Sequence, residues 1–170
     1  MAARPRRRYR LAVILLLAAV AGGMGAWQLW PRAEPRPAFT LPDLDNEQRA
    51  IAEWDGRVIV LNFWASWCPP CVNEIPVFTD LQDDYGNRGL QVLGVAVDRR
   101  DRARAFHGRL DMNYPSLYGV AGGMAVAERY GNERGTLPYT VVIDRTGAIV
   151  HRFRREITRE DIEPLIRKHL

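Results

Sequence analysis

The segment Val58-Ile59-Val60-Leu61-Asn62-Phe63-Trp64-Ala65-Ser66-Trp67-Cys68-Pro69-Pro70-Cys71-Val72-Asn73-Glu74-Ile75-Pro76-Val77-Phe78 changes character half-way along. Up to Trp64 it reads as a buried strand, and beyond Cys68 its spacing is helical. Both cysteines of the chain, Cys68 and Cys71, fall at the junction. Unpaired backbone N–H groups at a helix start, together with the helix dipole, favour a thiolate on the first of them. Cysteines spaced this closely can close a small disulfide ring and reopen it. Thiol–disulfide exchange is the chemistry implied.

Duller uses of the pair fit less well. A structural bridge closing only Pro69 and Pro70 removes little unfolded-chain entropy. A zinc site usually needs four ligands, and His107, His151 and His169 show no paired spacing. Two inert core cysteines would suit scattered positions rather than a strand-to-helix junction.

A chain of 170 residues suffices for one well-buried domain with an appendage. Its net charge of +4 is local, because Arg4, Arg6, Arg7, Arg8 and Arg10 crowd the first ten positions without an acid. Without them the 24 basic residues fall just below the 20 acidic ones, so nucleic acid is not an expected partner. From Leu11 to Trp30 there is no charged residue. A helix of that length spans a bilayer core of about 30 Å. Arginines on one side only place residues 1–10 in the cytoplasm and the domain beyond the membrane. Ala19-Val20-Ala21 resembles a signal-peptide cleavage site, but the apolar run continues past it, which favours an uncleaved anchor. Either reading places the domain outside the cytoplasm, where disulfide chemistry operates.

Residues 31–37 hold three prolines and read as an extended spacer, with the domain expected over 38–170. Strand-like runs are 58–64, 90–97, 139–144 and 148–153, the last two joined by the turn Asp144-Arg145-Thr146-Gly147. Helix-like runs are 69–86, 101–110, 123–130 and 158–168. The last opens on Thr158 with Asp161 three residues on, close to a capping box. This order implies an α/β fold: a central mixed β-sheet with helices on both faces.

Four features are similar to the thioredoxin superfamily, specifically its membrane-tethered TlpA/ResA/CcmG-like branch. They are Phe39-Thr40-Leu41-Pro42-Asp43-Leu44, Trp67-Cys68-Pro69-Pro70-Cys71, Glu74, and Gly135-Thr136-Leu137-Pro138-Tyr139-Thr140 before an apolar strand. The resemblance covers about 38–169 and implies a thioredoxin-like fold. It also implies that Cys68 is the exposed nucleophile and Cys71 the buried resolving thiol. Pro138 matches the branch's cis-proline, and Leu137 before it would offer its backbone to an extended substrate. Trp67 would line the substrate surface, whereas Trp64 reads as packing. Glu74, three residues after Cys71 on one helical face, matches an acid that tunes the cysteines; its plain alternative is a glutamate favoured by the helix dipole. Asn62 stands where cytoplasmic thioredoxins carry a buried aspartate. It cannot act as a base, so a proton relay would use Glu74 or water.

The resemblance further implies an extracytoplasmic protein-disulfide reductase of the bacterial inner membrane, facing the periplasm. Its clients would be disulfide-containing proteins such as apocytochromes c or copper-site proteins. Its reductant would be a membrane donor of the DsbD/CcdA type. No metal is expected, and no cofactor beyond the redox-active Cys68–Cys71 disulfide. Pro69 and Pro70 have no N–H to stabilise a Cys68 thiolate, which argues against the alternative of a disulfide-forming oxidase. A peroxiredoxin-like peroxidase needs Pro-x-x-x-Thr-x-x-Cys, absent before either cysteine. For a copper carrier, no Met or His companion is evident near the pair.

Overall fold

The computed structural model describes residues 34–170. In chain order the elements are β1 (Glu34–Pro35), β2 (Thr40–Pro42), β3 (Gln48–Ala50), β4 (Val58–Trp64), α1 (Pro69–Tyr85), β5 (Leu90–Ala96), α2 (Arg100–Arg109), β6 (Ser116–Tyr118), α3 (Val120–Arg129), β7 (Tyr139–Ile143), β8 (Ala148–Phe153) and α4 (Arg159–His169). Six strands form one sheet in the order β1-β8-β7-β4-β5-β6, and β2 and β3 form a separate hairpin. β5 runs parallel to β4 and to β6, while β7 runs antiparallel to β4 and β8. The sheet is mixed, as its sequence pattern implied.

Every residue of β4 is buried, because the strand is central and helices cover both faces. Alternation divides its side chains. Val58, Val60 and Trp64 face a cluster with Ile75, Phe78 and Leu81 of α1, Ala103 of α2, and Ile162 and Ile166 of α4. Ile59, Leu61 and Phe63 face Val126 and Ala127 of α3 with Leu41, Ile51 and Trp54. Asn62 therefore points toward α1, on the parity of Val60 and Trp64. Pro69 and Pro70 suit the first turn of α1, where no intrahelical N–H bond is required.

Several boundaries differ from the sequence reading. Residues 34–37, assigned to the spacer, belong to the domain: β1 pairs with Ile149 and Ala148, Arg36 N donates to Gly147 O at 2.8 Å, and the Tyr130 hydroxyl donates to Pro37 O at 2.6 Å. β6 was not foreseen, and α3 starts at Val120 rather than 123. The 144–147 turn forms as expected, with Asp144 Oδ1 accepting from Thr146 N and Ala148 N. At α4, Asp161 accepts from Thr158 N at 2.9 Å, as a capping box requires. The basic segment 1–10, the anchor 11–30 and the start of the spacer lie outside the described residues. Among the described residues, no helix is long and apolar enough to cross a membrane.

Candidate active site

Cys68 caps α1 in an extended conformation, and its disulfide to Cys71 closes across the first turn. Because Pro69 and Pro70 lack N–H groups, the backbone donor that meets Cys68 Sγ is Cys71 N, at 3.3 Å. Cys68 is less exposed than expected of an open nucleophile, at 4% against 0% for Cys71. Its sulfur is folded back onto the helix start, and Cys68 N is tied to Ala65 O at 3.2 Å. The order of access is preserved. Cys68 remains the more exposed residue of the two.

The loop leading into Cys68 is held by a residue the sequence reading missed. Asp98, just past the end of β5 and 3% exposed, accepts from Ser66 N at 3.0 Å and Ser66 Oγ at 2.6 Å. Its other oxygen accepts from Arg99 N at 2.8 Å. A charged residue directly after the apolar run of a parallel strand was the available signal, since functional groups gather at the carboxyl ends of such strands.

Glu74 lies beyond the first turn of α1 and is 1% exposed, so attraction to the helix dipole does not account for it. Its Oε1 accepts from Asn62 Nδ2 at 2.7 Å, and its Oε2 from Ile157 N at 3.3 Å. Asn62 Nδ2 also donates to Thr140 Oγ1 at 3.0 Å, its partner in the β4–β7 register. Burial pushes the Glu74 carboxyl up to about 8, against the two hydrogen bonds and with some help from the charge on Glu156. A buried carboxyl of this kind can take up or release a proton near neutral pH.

The Leu137–Pro138 peptide bond is cis, as the family resemblance implied. Pro138 is buried and directly precedes Tyr139, the register partner of Phe63, so it stands at the end of β4 from which the cysteine loop departs. Leu137 is half-buried and packs against the cluster containing both cysteines. Asn132, 2% exposed, braces this approach by donating to Thr136 O at 2.8 Å and accepting from Thr136 N at 3.2 Å. Trp67 is 60% exposed, whereas Trp64 is fully buried, which separates surface from packing as expected.

The Redoxin family model matches residues 31–166. The chain belongs to the Redoxin family. Among Redoxin relatives, the thiol-disulfide oxidoreductase ResA of Bacillus cereus is 27% identical over 164 residues, spanning 92% of each chain. ResA of Geobacillus thermodenitrificans is 30% identical over 128 residues, 75% of this chain and 71% of the relative. A thiol-disulfide oxidoreductase from Bacteroides fragilis superposes with a TM-score of 0.70 at 26% identity, covering 81% of this chain and 100% of that one. This Redoxin chain is thus a thioredoxin-fold protein-disulfide oxidoreductase of the TlpA/ResA/CcmG-like kind.

Proposed function

We propose that the protein is a disulfide reductase anchored through residues 11–30, with Cys68 as nucleophile, Cys71 as resolving thiol and Glu74 as their proton partner. The carrying observation is the scarcity of donors around Cys68. Two prolines occupy the first helical positions, and Cys71 N is the one backbone donor on its sulfur. A strong oxidant requires a heavily stabilised reduced state, and this helix start offers little for that purpose.

In the reductive direction, the Cys68 thiolate attacks one sulfur of a client disulfide and expels the other as a thiolate. Cys71 then gives up its proton and attacks Cys68 Sγ, which expels the second client thiolate. The client gains two electrons and the enzyme is left as the Cys68–Cys71 disulfide. Glu74, on the helical face of Cys71 and held by Asn62, is the group able to accept the Cys71 proton and return it on re-reduction. Trp67 and the backbone of Leu137, positioned by Pro138, would hold the client.

The basic N-terminus and the charge-free run support an extracytoplasmic site of action; apocytochromes c or copper-site proteins would be the clients and a DsbD/CcdA-type membrane protein the donor. Equilibration of the full chain with a dithiothreitol or glutathione buffer tests the direction, with a potential expected between about −180 and −300 mV. A value near −120 mV, that of the oxidant DsbA, would make the protein an oxidase. Membrane fractionation tests the anchor, and a soluble native species cut after Ala21 would refute it.

A further inference from the structure

Two large apolar side chains stand out as exposed among the described residues, Trp67 at 60% and Val120 at 56%. Both line one groove of about 510 Å³, together with Val97 and Met124. Apolar residues exposed together rather than singly mark a recognition surface, and this one begins at the residue before Cys68. Met124 also lies beside Gly135, where a Cβ would come within 3.5 Å of its sulfur, so the groove adjoins the loop that leads to Leu137 and Pro138. The rim is basic: Arg99 and Arg102, both exposed, border it. Arg99 is engaged with Asp101 at 3.2 Å, while Arg102 forms no ion pair among the described residues. Asp98 also borders the groove, but its carboxylate is already occupied by Ser66 and the N–H of Arg99.

We propose that this groove selects clients, receiving a segment beside the reactive disulfide that carries a bulky apolar side chain and, close to it, a carboxylate. The inference rests on the reductase reading. The apolar side chain lies between Trp67 and Val120, over Met124, whose unbranched thioether adapts to different shapes. The carboxylate meets Arg102. Trp anchors and Arg rims are the residue types that dominate binding and steering at such surfaces. Sulfur exchange itself is unchanged; the groove holds the client in line with Cys68.

The test uses the full reduced chain in detergent and synthetic peptides with an internal disulfide followed by Phe-x-Glu, Phe-x-Gln, Phe-x-Lys or Ala-x-Glu. Reduction is expected to rank Glu above Gln above Lys in kcat/KM, each step about two- to fivefold as for an exposed charge pair, with the ranking compressed at high salt. Ala-x-Glu should fall below Phe-x-Glu. Arg102→Glu should invert the charge ranking, whereas Arg167→Glu on α4, an equal change in net charge, should preserve it. Equal rates for the Glu and Lys peptides, or an unchanged ranking in Arg102→Glu, would overturn the proposal. Serine-for-cysteine copies of the peptides, labelled and followed by fluorescence polarisation, read the groove without exchange chemistry. If no peptide disulfide is reduced but the copies bind in the same order, the reductase reading falls and the groove stands. If they bind without order, the groove assignment is wrong.

Discussion

The two faces of the central sheet are built to different rules. On the face toward α3, polar groups among the aromatic side chains are paired: the Tyr130 hydroxyl donates to Pro37 O at 2.6 Å and the Tyr139 hydroxyl to Tyr130 O at 2.8 Å. Phe39, Phe63, Tyr130 and Tyr139 pack there as a connected set of rings. The face toward α1 buries Glu74, and it holds the four buried side-chain atoms that lack a protein partner among the described residues: Asn62 Oδ1, Trp64 Nε1, Tyr114 OH and Ser116 Oγ. Unmet polar groups cost stability. Their confinement to the cysteine side means that one face carries the fold and the other tolerates a chemically useful interior.

That contrast can be broken most sharply at the cysteines. Cys68→Ser should abolish disulfide exchange, and Cys71→Ser should accumulate mixed disulfides visible on non-reducing gels. Neither should lower stability much, since so short a ring constrains little of the unfolded chain. Faster alkylation of Cys71 than of Cys68 in the reduced protein would reverse their roles.

Phe63→Ala, on the opposite face, should do the converse. A fully buried phenylalanine removed from a packed cluster costs about 3–5 kcal/mol, measurable by denaturant unfolding. The alkylation rate of Cys68 in the folded fraction should stay unchanged. A large drop in that rate would mean the faces are coupled.

Glu74→Gln joins stability to chemistry. The folded carboxyl holds its proton up to about 8 against an ordinary value of 4.5, so between those limits the folded state binds more protons than the unfolded one. Wild-type stability should therefore fall as pH rises through that window. The glutamine variant lacks this slope and should be the more stable protein above pH 8, by up to about 5 kcal/mol; parallel stability curves from pH 4 to 9 would refute it. Glu74→Gln should also shift the pH profile of thiol reactivity more than Asn62→Ala does, because only the carboxyl titrates. Smallest of all, Tyr139→Phe should cost about 1 kcal/mol for one hydrogen bond and leave exchange rates untouched.

Much of this arrangement was legible in the residues. The apolar run ending at Trp64 and the prolines after Cys68 fixed the strand, the helix and their junction. β6 escaped because Ser116-Leu117-Tyr118 is too short to show periodicity, and its strand character comes from pairing with β5. The helix expected over 123–130 begins three residues earlier, at Val120, and takes in Gly122 and Gly123. Gly123 packs closely on the sheet, where a Cβ would come within 3.3 Å of a Val95 methyl, a tighter approach than ordinary van der Waals contact. The contact between Asn62 and Glu74 was half visible. A polar residue inside a fully buried run demands a partner, but spacing alone does not show that the partner is Glu74 on the helix that follows. Cys68 proved more covered than its helix-entry position suggested, since exposure depends on how the preceding loop is tied down.

β4 is paired along both edges and covered on both faces, so its amide hydrogens should exchange with solvent only when the whole domain opens. The helix end that follows has no amide hydrogens at Pro69 and Pro70, and their rings hold φ near its helical value. A helix terminus ordinarily frays; this one is stiffened by covalent geometry rather than by bonding. The sulfurs therefore react at a boundary with little freedom on either side, and the motion that admits a client must come from the client or from the loop that Asp98 secures.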